Sequence, residues 1–159
     1  MPGFFPAATL AVMARIAGID FGTVRIGVAI ADTEIGIASP LATHTRQNLE
    51  MDARYFRRLV EQEAIVKFVV GLPVHLDGRE SQKSREAREF GLWLAKETGV
   101  EVAYFDERFT TAEADQLLAL GELTKKQRKA RRDQLAAQIM LTAFLESGGR
   151  GQESLEGIE

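Results

Sequence analysis

Arg15-Ile-Ala-Gly-Ile-Asp-Phe21 and Arg25-Ile-Gly-Val-Ala-Ile-Ala-Asp32, separated by Gly22-Thr23-Val24, are the stretch that decides the fold. Both are short β-type runs of alternating and β-branched residues, and the gap carries a glycine turn signal, so the pair reads as a hairpin. A further extended stretch around Ile37 to Thr45 makes an antiparallel meander. From about Asn48 to Ala64 the period changes, with Leu49, Phe56, Leu59 and Val60 recurring at helical spacing among charges. Lys67 to Leu72 then returns to a continuous apolar run, as expected of a buried strand.

Leu76-Asp77-Gly78 is a turn signal, and Ser81 to Thr98 reads as a helix with Phe90, Trp93 and Leu94 as apolar surface and Gly99 as its C-cap. Val100 to Phe105 is another strand. Thr110-Thr111-Ala112-Glu113 has capping-box spacing at the head of a helix running to about Leu120, where Gly121 stops it. A basic connection leads to a final helix carrying Leu135, Ala136, Ile139, Met140, Ala143 and Phe144, with Gly148-Gly149 beyond it. The order β-β-β-α-β-α-β-α-α predicts an α/β fold: a mixed five-stranded sheet flanked by helices, the ribonuclease H-like order. Residues 1–14 are expected to be an extension, 15–147 one domain, and 148–159 a disordered polar tail.

With 159 residues, 45% of them hydrophobic, the chain can bury one real core and not two. A net charge of −3 argues against a basic nucleic-acid coat protein or a membrane-surface binder, so any polyanion site must be local. The absence of Cys removes disulfides, thiol nucleophiles and Cys-ligated zinc, and His44 and His75 alone do not make a His-rich metal site. No stretch is long enough to span a bilayer.

Three acids stand out. Alternation puts Asp20 on the same strand face as Ile16 and Gly18, in what should be a central strand, where a buried carboxylate needs a proton, an ion pair or a cation. Glu107 follows Asp106 at the C-terminal end of a strand, where ligand sites of α/β sheets lie. Asp133 precedes Ala136, Ala137 and Met140 on the core-facing side of the last helix, although an acid near a helix start is equally a cap or a dipole partner. If the topology brings them together, an oxygen-rich site suited to Mg²⁺ or Mn²⁺ results.

Ile19-Asp20-Phe21-Gly22 with Arg25-Ile26-Gly27-Val28-Ala29, Val70-Gly71-Leu72-Pro73 with Asp77-Gly78, Asp106-Glu107-Arg108-Phe109-Thr110-Thr111, and Asp133-Gln134-Leu135-Ala136-Ala137 occur in that order. In this set the chain resembles the YqgF (RuvX) family of pre-16S rRNA nucleases related to Holliday-junction resolvases, over about Arg15 to Ser147. The resemblance implies a cytoplasmic endonuclease that processes the 5′ end of pre-16S rRNA in ribosome biogenesis, with Asp20, Glu107 and Asp133 as catalytic metal ligands. Resolvase relatives usually carry a fourth acid one turn after the helix acid. Ala136 stands there, which weighs against junction resolution and branched DNA as substrate.

Lys125, Lys126, Arg128, Lys129, Arg131 and Arg132 form a basic run before Asp133 that could draw phosphates to the acids or form a solvated face. Arg108 and Thr110 could contact a phosphate, although the capping box gives Thr110 a structural role as well. Gly22 lets a phosphate approach the first hairpin or permits its turn. Two other functions remain open from the residues. Asp20-Phe21-Gly22-Thr23 is similar to the first phosphate loop of actin-like ATPases, which need a second such domain. A non-catalytic nucleic-acid-binding factor would use the basic run alone.

Overall fold

A computed structural model describes residues 14–73, 81–107, 125–148 and 152–154, with 125–130 and 152–154 described as backbone only. The expected turn at 76–78 and the expected helix from Thr110 to Leu120 lie outside the described residues. Strands β1 (Arg15–Asp20), β2 (Arg25–Asp32) and β3 (Ala38–Thr45) are followed by helix α1 (Leu49–Glu63), β4 (Ile65–Leu72), α2 (Gln82–Thr98), β5 (Glu101–Asp106), α3 (Lys125–Glu146) and β6 (Gln152–Ser154).

The sheet order is β3-β2-β1-β4-β5-β6. β1 to β3 form the antiparallel meander, while β4 and β5 join parallel to β1. The five expected strands are present, and β6 adds a short antiparallel edge on β5, so three residues of the tail expected to be disordered pair with the sheet.

Helix ends follow from local chemistry. The Asn48 side chain accepts from the Met51 amide at 2.9 Å and caps α1, and Ala64 closes it in the left-handed region at φ 53°. Ser81 and Ser84 cap α2 reciprocally, and the Ser81 hydroxyl also donates to the Pro73 carbonyl at 2.8 Å, tying the head of α2 to the end of β4. Gly99 ends α2 at φ 70°.

The two sheet faces are covered differently. Ala17, Ile19, Ile26, Val28, Phe68, Val70 and Tyr104 point to α1 and α2, which contribute Phe56, Leu59, Phe90 and Leu94. The opposite face presents Ala29, Ala31, Val69 and Phe105 to α3, which supplies Ala137, Met140, Leu141 and Phe144. Asp52 is buried near the start of α1. It accepts from the Gln47 amide at 3.0 Å and pairs with His44 Nε2 at 2.8 Å, joining the end of β3 to the helix that follows.

Candidate active site

Because side chains alternate along a strand, Asp20 follows Ile16 and Gly18 onto the face covered by α3. Its partner across the β1–β2 ladder is Gly27. A Cβ at Gly27 would collide with the backbone carbonyl of Asp133, so the missing side chain is what lets α3 lie on the sheet at this level. At Gly18 a Cβ would stand 2.9 Å from Leu141 Cβ, the same close approach two turns further along the helix. On the other side of β1, Ile19 pairs with Val70, which puts Gly71 at the level of Asp20. A Cβ at Gly71 would collide with the Glu107 carboxylate, so Glu107, the first residue past β5, folds back over β4. Glycine on both neighbouring strands thus makes room for two acids beside a third.

The electrostatics record that crowding. Asp20 is raised to about 6, first by burial and then by the Asp133 carboxylate, against an opposing pull from Lys83. Glu107 is raised to about 7 by burial, then by Asp20 and Asp106, again opposed by Lys83. Asp133 accepts from Arg25 Nε at 2.8 Å, an ion pair spanning 108 positions of sequence. Among the described residues, no group of three His, Cys, Asp or Glu side chains is close enough to hold one metal ion. The acids therefore share one field, with Asp133 engaged by a guanidinium.

Asp133 is the ninth residue of α3, which starts at Lys125. The capping reading of Asp133 is thereby excluded, and the basic run expected as a connection instead forms the first two turns of the helix. That run contains no proline or glycine, and nothing local stops the helix from extending through it. The side chains of Lys125, Lys126, Arg128 and Lys129, and Arg108 and Thr110 altogether, lie outside the described residues. Arg131 and Arg132 are exposed.

A cavity of about 400 Å³ opens beside the acids, lined by Phe21 to Arg25 with Lys83, Glu86 and Asp133. Gly22 has a conformational reason to be there, because a Cβ would collide with the Arg25 carbonyl across the turn. Sequence reasoning did not assign Arg25 or Lys83 a role. Lys83 had a signal: it sits in the first turn of the helix after β4, and the loops that follow parallel strands gather at one end of the sheet. Arg25 had only its place after the turn, at the head of a motif that carries the family resemblance.

A family model described as "RuvX: Holliday junction resolvase" matches residues 14–147. A protein of Rhodopirellula baltica named as a pre-16S rRNA nuclease is 50% identical over 133 residues, 84% of this chain and 77% of the relative. One of the same name from Koribacter versatilis is 44% identical over 144 residues, 90% of this chain and 94% of the relative. Among solved structures, Thermus thermophilus RuvC in complex with a Holliday junction substrate superposes with a TM-score of 0.56 at 15% identity, covering 89% of this chain and 99% of RuvC. The Fowlpox virus resolvase complexed with junction DNA gives 0.51 at 14% identity, covering 84% and 97%. At these identities the likeness establishes the ribonuclease H-like fold alone. Among the described residues, no helix is long and apolar enough to cross a membrane.

Proposed function

The chain belongs to the RuvX family, and from that premise we propose that it is a cytoplasmic endonuclease that hydrolyses phosphodiesters at the 5′ end of pre-16S rRNA. The observation that carries this reading is the pair Asp20 and Glu107, two half-buried carboxylates raised to about 6 and about 7, the second partly by the first. Such a pair costs folding free energy at neutral pH, and a divalent cation offsets it.

The donor chemistry suits Mg²⁺ or Mn²⁺, since all three acids offer hard oxygen ligands, while their present spacing holds no three of them around one ion. Asp20 and Glu107 would hold the ion, and Asp133 would join them by releasing Arg25. When bound, the cation supplies activation of an attacking water and stabilisation of the leaving oxygen at phosphorus. The chain's own residues do the rest. Arg25, freed from Asp133, and Lys83 present cations to the backbone phosphates at the cavity mouth. Gly22 and Thr23 keep the turn low beside them. Glu107 would act with Asp20 as a ligand that orients the water, because a bound cation offsets the carboxylate repulsion that otherwise raises its proton affinity.

The test places a labelled 5′-extended 16S rRNA precursor and a Holliday junction with the purified protein, with and without Mn²⁺ or Mg²⁺, beside Asp20→Asn. Metal-dependent RNA cleavage that vanishes in Asp20→Asn is the expected result. Cleavage of the junction alone moves the substrate to branched DNA. Retained RNA binding without cleavage of either substrate overturns the nuclease reading.

A further inference from the structure

A second cavity, of about 290 Å³, adjoins the first and shares Phe21 and Glu86 with it. Its apolar lining is Phe21, Leu49, Phe90 and Trp93, and its polar lining is Arg46, Glu86 and Glu89. The rings form a shallow fan. Phe21 and Phe90 have centroids 4.8 Å apart at 30°, and Phe90 and Trp93 lie 5.5 Å apart at 35°. Leu49 is 62% exposed although it falls in the apolar series of α1. The guanidinium of Arg46 sits 5.0 Å from the Phe21 centroid; its Nε lies 3.8 Å from the Asp52 carboxylate without a hydrogen bond, and one terminal nitrogen donates to the Thr23 carbonyl at 3.4 Å.

Glu86, Glu89, Phe90 and Trp93 follow one another at i, i+3, i+4 and i+7, so a single face of α2 supplies two carboxylates and two aromatic rings to the cavity. Flat rings beside acceptors and a cation are the combination that holds a planar heterocycle bearing both donors and acceptors. Among the RNA bases, guanine alone offers two adjacent N–H donors on its Watson–Crick edge, which suit a carboxylate, with O6 and N7 acceptors that suit an arginine.

We propose that this cavity binds a guanine base of the strand whose phosphates lie in the neighbouring cavity, stacked on the Phe21–Trp93 fan, with N1–H and N2–H donated to the Glu86 or Glu89 carboxylate. The inference rests on the nuclease reading for the presence of a strand, and its test does not depend on cleavage.

Trp93 is the single tryptophan of the chain, so its fluorescence reports the cavity directly. Titration with 5′-GMP, AMP, CMP and UMP is expected to give saturable quenching, tightest for GMP by at least about fivefold. Either Glu86→Gln or Glu89→Gln, both outside the hydrophobic core, is expected to weaken GMP about tenfold while leaving AMP nearly unchanged, as loss of a charged hydrogen bond requires. No saturable quenching overturns the proposal, as do equal affinities for the four nucleotides or a preference for GMP that survives in both variants. Cleavage without quenching removes this inference and leaves the nuclease reading. Guanine-selective quenching without cleavage does the reverse.

Discussion

The two faces of the sheet are built on opposite plans. Towards α1 and α2 the sheet shows large side chains: Phe68 and Tyr104 meet Phe56, Phe90 and Leu94, and Phe56 packs edge-on against Phe68, Phe90 and Trp93. Towards α3 it shows Val69 and Phe105 at the centre, but around them Gly18, Gly27, Ala29, Ala31 and Gly71, and the acids Asp20 and Glu107. Large residues on one face bury apolar area. Small residues on the other bring a helix backbone down to the strands and place its carboxylate among theirs. Both faces bury apolar core, and the α3 face gives up part of its own to the site at a cost to stability.

Phe56→Ala attacks the first plan. It should cost roughly 3–5 kcal/mol in denaturant unfolding, as for large aromatic truncations, while the folded fraction keeps its nuclease activity. Equal loss of specific activity would break the division between the faces. Gly27→Ala attacks the second. The added methyl meets the Asp133 carbonyl, so α3 must lift, at a cost of roughly 2–3 kcal/mol by analogy with overpacked cores. Here activity should fall by at least about tenfold in protein that still gives a cooperative melt, because Asp133 moves with the helix.

The pH dependence sharpens the contrast. Both site acids ionise at higher pH in the folded chain than their ordinary 3.8 and 4.5, so between about pH 4 and 7 the native state binds more protons than the unfolded state. Stability of the metal-free protein therefore falls as pH rises through that window, with a change on the order of 3 kcal/mol for Asp20. Asp20→Asn should flatten the slope and melt higher than the parent at pH 8 in chelator. If it melts lower, the Asp20 carboxylate is not a burden. The smallest effect is expected from Lys83→Ala, which should raise KM for RNA about tenfold and shallow its salt dependence with little change in melting temperature. An unchanged KM would remove Lys83 from the phosphate site.

Much of this was readable in the chain. The hairpin, the helix between Asn48 and Ala64 and the helix between Ser81 and Gly99 are set by alternation, by N-cap chemistry and, at Gly99, by a residue that accepts the left-handed region, all of which act within a few positions. The face on which Asp20 points followed from parity along one strand. The start of α3 was misread because a charged run without proline or glycine reads as either loop or helix, and neighbours do not decide it. Leu49 shows the converse: helical spacing put it with the core, yet it is exposed at the edge of a cavity.

The amino-acid order by itself determined the elements, their order along the chain and the family motifs, because these depend on periodicity and on side chains close in sequence. Only the tertiary structure decided that Arg25 pairs with Asp133, that Glu107 turns over Gly71, and that Lys83 shares the field of Asp20 and Glu107. Each joins segments separated by between about 24 and 108 positions. Such partners are chosen by which strands lie side by side and how closely a helix can approach them, and no local pattern carries that choice.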